Sequence, residues 1–331
     1  MKAIIPVAGA GTRLRPLTYT QPKALIPIAG KTILSFIVDQ LQEGGIHEFV
    51  FILGYLGDKI KDYVENAYPH LTCHFVFQNE RLGTGHAVKL AQEFIGKDEI
   101  MVVFGDTLCQ YDIKEVIASP KSILAVKKVD NPSKFGVAEI GEDNKVLKVI
   151  EKPLIPKSNN ALVGIYKVRE SAMLFECIPE NLRDEHGEMI FYQLTDALQC
   201  MIAKGVEFVA YPVDNWFDCG QKETLLASNS ILLRKSGGNV HPVNHQYEDS
   251  IIVPPVSIAP GCKIKNSIIG PHVAIGNNTV INKSIIRDSI VGSYSNLYEV
   301  VLENSLIGSD ALVKGLSRSL NIGDNTELDF G

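Results

Sequence analysis

Lys2-Ala3-Ile4-Ile5-Pro6-Val7-Ala8-Gly9-Ala10-Gly11-Thr12-Arg13-Leu14 decides how the chain is read. An apolar, largely β-branched run passes directly into a glycine-rich turn and then into an arginine. A strand whose carboxyl end opens into such a turn is where α/β sheets present backbone N–H groups to phosphate oxygens. Ala8 and Ala10 imitate a signal-peptide cleavage site. Pro6 and Gly9 break the apolar stretch, however, and Arg13 follows at once, so the segment reads as a first buried strand.

Working outward, strands are expected over 3–7, 49–53, 74–77 and 100–104. Ile33, Leu34, Ile37, Val38 and Leu41 recur at helical spacing before Gly44-Gly45, and Ala87, Leu90, Ala91 and Phe94 mark a second helix. Strands alternating with helices predict βαβ units and a mostly parallel sheet. Further strands are expected over 123–126, 136–140, 146–151 and 162–166, with helices over 171–178 and 191–203. In the last ninety residues Ile258, Ile264, Ile269, Ile275, Ile281, Ile286, Val291, Leu297, Leu302, Ile307 and Val313 recur every five or six positions. No helix has that period. A triangular parallel β-helix does, with each aliphatic residue pointing inward and each turn at a corner, and this tail has room for about three to four coils; an ordinary sandwich of short strands is the alternative. The domains are read as 1–235 and 248–331, joined by a polar, Gly- and Pro-containing linker over 236–247.

The chain has 331 residues, 45% of them hydrophobic and 21% charged, which fits a globular protein with a full core and excludes a disordered or fibrous one. A formal charge of −6 gives no bulk attraction to nucleic acid or anionic lipid. No stretch reaches the roughly 18 apolar residues that cross a bilayer. The six cysteines are widely spaced with no C-x-x-C pair, so neither a zinc site nor a disulfide framework is visible, and a reducing cytoplasm is expected.

Several residues suit phosphate chemistry. Arg13 follows the glycine turn, and Lys23 lies ten residues on in Pro22-Lys23-Ala24-Leu25-Ile26-Pro27; two fixed cations beside such a turn suit a polyphosphate. Neither the dinucleotide fingerprint nor the P-loop pattern is met. Gly105-Asp106 places a carboxylate after the strand expected over 100–104, on the same sheet edge, and Asp218 stands in Asn215-Trp216-Phe217-Asp218-Cys219-Gly220. Phosphate-bound Mg²⁺ takes one or two protein carboxylates, so these two suffice. Lys152, in Glu151-Lys152-Pro153, offers a point charge to a substrate phosphate. Gln78 and the following Leu82-Gly83-Thr84-Gly85-His86-Ala87 offer an amide and open backbone to a nucleobase edge. His241 and His245 lie in the linker and are read as structural.

Taken in order, these motifs, with Phe135-Gly136-Val137, Val163-Gly164-Ile165-Tyr166, Leu194-Thr195-Asp196-Ala197 and Trp216-Phe217-Asp218, resemble the sugar-1-phosphate nucleotidylyltransferases. The match runs from Met1 to about Leu233. The tail resembles the left-handed β-helix that many members carry. The resemblance implies a Rossmann-like mixed α/β nucleotidyltransferase domain followed by that β-helix of hexapeptide-type repeats, and a reaction in which a sugar-1-phosphate oxygen displaces pyrophosphate from the α-phosphorus of a nucleoside triphosphate.

By that resemblance Ala8, Gly9, Ala10, Gly11, Thr12 and Arg13 hold the triphosphate, Lys23 engages the phosphates near the reacting centre, and Asp106 and Asp218 hold Mg²⁺. Lys152 grips the sugar phosphate; Gly136, Glu151, Gly164 and Tyr166 meet the sugar hydroxyls; Gln78, Gly83 and Thr84 serve the nucleotide. The expected substrates are UTP or dTTP and glucose 1-phosphate. Alternatives are a guanylyl enzyme acting on mannose 1-phosphate, a bifunctional acyltransferase with His272 on the β-helix, and a non-catalytic regulatory subunit. A homo-oligomer with no nucleic-acid or membrane partner is expected.

Overall fold

The computed structural model describes residues 1–183, 186–237, 247–315 and 320–329. The linker histidines His241 and His245 lie outside the described residues. The chain packs as two compact units, Met1–Gly9 with Ile37–Trp216, and Ala10–Phe36 with Phe217–Gly331.

The first unit is built on a nine-stranded mixed sheet. The Lys2–Pro6 strand lies at its centre, parallel to Glu48–Leu53 on one side and Ile100–Val103 on the other, and Thr72–Phe77 extends the parallel half. These central strands are buried almost without a break, as a sheet covered on both faces requires. Asn160–Val168 then runs antiparallel to Ile100–Val103 and to Ser122–Lys128. Gly136–Ile140 and Val146–Glu151 form the outer hairpin, and Phe208–Pro212 pairs parallel with Ser122–Lys128.

Two expectations need correction here. The helix expected over 191–203 begins only at Leu194. Tyr192 is held out of it because its N–H donates to the Leu82 carbonyl at 2.8 Å and its own carbonyl accepts from Gly85 N–H at 2.9 Å. Gln193 is the N-cap, with Asp196 completing a reciprocal capping box. Cys177 and Cys200, 23 residues apart, form a disulfide with Cα atoms 5.8 Å apart, although their spacing showed no framework. They meet because the Ser171–Glu176 and Leu194–Ala203 helices pack together.

The second unit contains the β-helix. Three stacks of short parallel strands wind with corresponding residues 15 to 17 apart, as in the series Tyr247, Ile264, Ile281, Leu297, Val313, Leu328. That stack has six rungs, so the tail is longer than the expected three to four coils. All eleven aliphatic residues singled out in the sequence line its interior. Corners recur at positive φ, for example at Asn266, His272, Asn278, Lys283, Asp288, Tyr294, Glu299, Asn304 and Asp310. Asn and Asp tolerate that left-handed conformation better than other non-glycine residues. A column of buried serines joins coils, with Ser284 N–H donating to Ser267 Oγ at 3.0 Å and Val300 N–H to Ser284 Oγ at 3.2 Å. Residues 10–36 cover one face: Asn321 Nδ2 donates to the Arg15 carbonyl at 3.4 Å, and the Thr20 hydroxyl bonds Asp324.

Candidate active site

In the first unit the sheet edge brings Gly105-Asp106 beside Pro6 and Val7, directly before Ala8 and Gly9. The Gly105 N–H donates to the Pro6 carbonyl at 3.2 Å, so the Gly105-Asp106 turn lies directly beside the exit of the first strand. A Cβ on Gly105 would collide with Val7, which makes glycine a steric requirement at this approach. Ala8 is buried, with its carbonyl accepting from Tyr55 N–H at 3.3 Å, while Gly9 is exposed in open space. The half-buried Asp106 carboxylate supplies the hard oxygen donors that Mg²⁺ prefers. Gly164, in the irregular stretch of the Asn160–Val168 strand, has φ of +83°, and its carbonyl accepts from Phe104 N–H at 2.9 Å.

A second group surrounds Glu151. Gly136 is its register partner across the hairpin. Thr195 Oγ1 donates to Glu151 Oε2 at 3.0 Å, and Lys152 Nζ lies 3.3 Å from Glu151 Oε1. A Cβ on Gly136 would come within 2.9 Å of Thr195 and 3.2 Å of Glu151 Oε2. Lys152 has φ of +39°, which turns the backbone sharply at the strand end and leaves its side chain 61% exposed. Tyr166 is not on this surface: it is 3% exposed, edge-on to Phe104 with ring centroids 5.7 Å apart. Burial, with the Glu151 charge adding to it, pushes the Tyr166 hydroxyl far above its usual range, so it stays protonated.

The third group is the loop expected to meet the nucleobase. Gln78 is buried, with Nε2 donating to the Gly83 carbonyl and to His86 Nδ1, each at 3.1 Å. Gly83 has φ of +99° and lies so close to the Tyr192 carbonyl that a Cβ would collide with it. Thr84 ties the loop to the next helix: its hydroxyl donates to Gln193 Oε1 at 3.0 Å and accepts from Leu194 N–H at 2.9 Å. Thr84 is thus engaged in holding the loop.

In the second unit, Gly11 is left-handed, with φ of +59°, and opens the short Thr12–Leu14 helix. A Cβ there would come within 3.1 Å of Lys23 Cβ, so the glycine turn and the Pro22-Lys23 segment lie against each other. Thr18 Oγ1 fixes the turn by donating to the Gly11 carbonyl at 2.9 Å. Ala10 is buried, Thr12 and Arg13 are exposed, and Arg13 has no ion pair among the described residues. Asp218 ends the Asn215–Asp218 strand; its side chain lies outside the described residues. Sequence reasoning assigned no role to Thr195, His86 or Tyr192, although Thr195 and His86 both stand inside the quoted motifs.

Residues 2–235 match the family described as nucleotidyl transferase. The chain belongs to the nucleotidyl transferase family. It is 30% identical to the low-salt glycan biosynthesis nucleotidyltransferase Agl11 of Haloferax volcanii, over 99% of each chain. It is 35% identical to the bifunctional protein GlmU of Methanococcus vannielii, covering 94% of this chain and 78% of that one. A solved UDP-glucose pyrophosphorylase complexed with UDP-glucose superposes with a TM-score of 0.61 at 28% identity, covering 71% of this chain and 98% of that one. The fold is thus the Rossmann-like nucleotidyltransferase fold followed by parallel strands consistent with a left-handed β-helix. Among the described residues no helix is long and apolar enough to cross a membrane.

Proposed function

We propose that the protein transfers a nucleotidyl group from UTP or dTTP to glucose 1-phosphate, releasing pyrophosphate, with Mg²⁺ required. The observation that carries this reading is the paired cluster of Glu151 and Lys152 beside Gly136: a carboxylate for sugar hydroxyls and an adjacent ammonium for a phosphate, held by one strand end. A phosphate oxygen of the sugar attacks the α-phosphorus in line, the bond to the β-phosphate bridging oxygen breaks, and pyrophosphate leaves with that electron pair. Such a reaction needs positioning and charge neutralisation more than covalent chemistry.

The Gly9–Ala10–Gly11–Thr12 backbone and Arg13 take the triphosphate, and Lys23 neutralises charge close to the transferring phosphate. Asp106 and Asp218 would hold Mg²⁺, which when bound neutralises phosphate charge. Gln78 is engaged by Gly83 and His86 through Nε2, and its carbonyl oxygen would serve as an acceptor for a pyrimidine imide N–H. The family match supports nucleotidyl transfer, and the solved relative complexed with UDP-glucose supports this choice of substrates. Acyl transfer by the β-helix is disfavoured because both His272 ring nitrogens are engaged, Nδ1 with Asp288 at 2.8 Å and Nε2 with Arg234 at 2.9 Å.

The test is pyrophosphate release from UTP, dTTP, GTP, CTP and ATP against glucose, N-acetylglucosamine and mannose 1-phosphates. UTP or dTTP with glucose 1-phosphate should be fastest. Faster turnover of GTP with mannose 1-phosphate would overturn the substrate assignment.

A further inference from the structure

Gln78 stands directly after the Thr72–Phe77 strand, and its N–H donates to the Leu53 carbonyl at 2.8 Å, so its backbone continues the parallel ladder. Its side chain is buried and meets two partners, both through Nε2. One is the Gly83 carbonyl at 3.1 Å, which also accepts from Ala87 N–H at 3.2 Å. A carbonyl only accepts, so the end of the amide that faces Gly83 is the NH₂ end. The other partner is His86 Nδ1, again at 3.1 Å. With the amide placed by Gly83, this ring nitrogen accepts as well, and the imidazole is the neutral tautomer with its proton on Nε2.

Both hydrogens of the Gln78 amide are thereby used inside the protein, and among the described residues its carbonyl oxygen has no partner. A flipped amide would set that oxygen against the Gly83 carbonyl and the His86 lone pair, losing both hydrogen bonds. Nucleobases differ in what they offer to a fixed acceptor. Uracil and thymine carry a ring N–H at N3, and guanine carries one at N1. Cytosine and adenine have a bare ring nitrogen at the same edge, whose lone pair opposes a carbonyl oxygen. A glutamine free to turn accommodates both classes; a fixed one does not.

We infer that His86 is a positioning residue that selects the nucleobase: by accepting from Gln78 Nε2 it holds the amide with its oxygen outward, toward a base that carries a ring N–H. This role rests on the proposed placement of Gln78 against the base, and it holds for uracil, thymine and guanine alike.

The test is kcat/KM for UTP, dTTP, GTP, CTP and ATP, each with the sugar 1-phosphate that turns over fastest, in wild type, His86→Phe and His86→Asn. Phenylalanine keeps a ring and offers no acceptor, whereas the asparagine carbonyl can take the place of Nδ1. Wild type should favour UTP over CTP. That ratio should fall about two- to tenfold in His86→Phe, the scale of one hydrogen bond, and stay within about twofold of wild type in His86→Asn. A merely structural role would lower all nucleotides together and leave the ratio in place. A wild-type preference for GTP over UTP, with ATP poor, would overturn the substrate assignment above and support the role of His86. A preference for CTP or ATP overturns that role, as does an unchanged ratio in His86→Phe or an equal fall in both variants. If His86→Phe fails to fold, NMR of the histidine rings in wild type decides, at a pH where free imidazole is neutral, with the His86 signals assigned by their loss in His86→Asn. A proton on Nε2 is expected; a proton on Nδ1 overturns the inference.

Discussion

Thr195 donates its hydroxyl hydrogen to Glu151 at 3.0 Å, and it does so from the first turn of a helix whose start is fixed by the loop that carries Thr84. Glu151 and that loop, proposed to meet the sugar and the nucleotide, are therefore anchored to adjacent residues, Thr195 and Leu194, of one helix start. Thr195→Val removes the hydroxyl at nearly constant volume. It is expected to raise KM for the sugar phosphate about three- to tenfold with a smaller change in kcat, as loss of one hydrogen bond to a charged group implies. Steady-state kinetics with each substrate varied in turn measures this, and Thr195→Ser should recover most of the loss.

Gly83→Ala should damage both stability and nucleotide binding. The added Cβ meets the Tyr192 carbonyl, and the backbone stands at φ of +99°, where an L side chain is strained. Together these should cost about 2 kcal/mol or more. Urea unfolding gives the stability and nucleotide titration the affinity; a variant as stable as wild type would show that the loop can move away from Tyr192.

The exposed Arg13 is not needed by the fold, so Arg13→Ala should leave the melting temperature within a degree or two and lower turnover about 10²- to 10³-fold, the scale of losing one charge-stabilising donor. Thermal unfolding beside single-turnover rates separates the two effects. An equal fall in stability and activity would assign Arg13 a structural role.

Lys2 lies 2.9 Å from Glu48, and the strand pair they join is central to the sheet. The hydrogen bond from Lys2 holds the Glu48 carboxyl below its usual range, against the opposing effect of burial. A depressed carboxyl contributes stability that is complete above its unfolded value near 4.5 and is lost as pH falls through the lower folded value. Glu48→Gln should therefore cost about 0.5–1 kcal/mol at neutral pH and nothing at the acid end of that window. Urea midpoints taken from pH 7 down to 3 test the sign.

The Cys177–Cys200 bond closes 23 residues, and a loop of that length restricts the unfolded chain by about 3 kcal/mol in the chain-entropy view. Reduction should lower stability by about 2–4 kcal/mol. Mass spectrometry of the alkylated protein before and after reductant establishes the bond, and calorimetry its effect.

Much of the architecture was legible because its periods are strong. The five-to-six-residue recurrence from Ile258 to Val313 fits a parallel β-helix, and every one of those residues is interior. The Gly57–Ala67 helix was not visible: its buried aliphatics are only Ile60 and Val64, a stripe too narrow to stand out among charged neighbours. Phe208–Pro212 escaped for the same reason, being short and alternating. At the candidate site, the groups that stand alone in sequence, such as Asp106 and Lys152, could be picked out by chemistry. The pairings that orient them could not, since Thr195 and Glu151 are 44 positions apart and meet only through the packing of helix on hairpin. The disulfide was hidden in the same way.

The most direct test of the proposed reaction is pyrophosphate release from UTP or dTTP with glucose 1-phosphate, with and without Mg²⁺, by wild type and by Asp106→Asn. The account predicts turnover that requires Mg²⁺ and falls at least about 10²-fold in the variant while its unfolding midpoint is kept. Wild-type turnover that persists without a divalent ion, or an Asp106→Asn enzyme as fast as wild type, would contradict it.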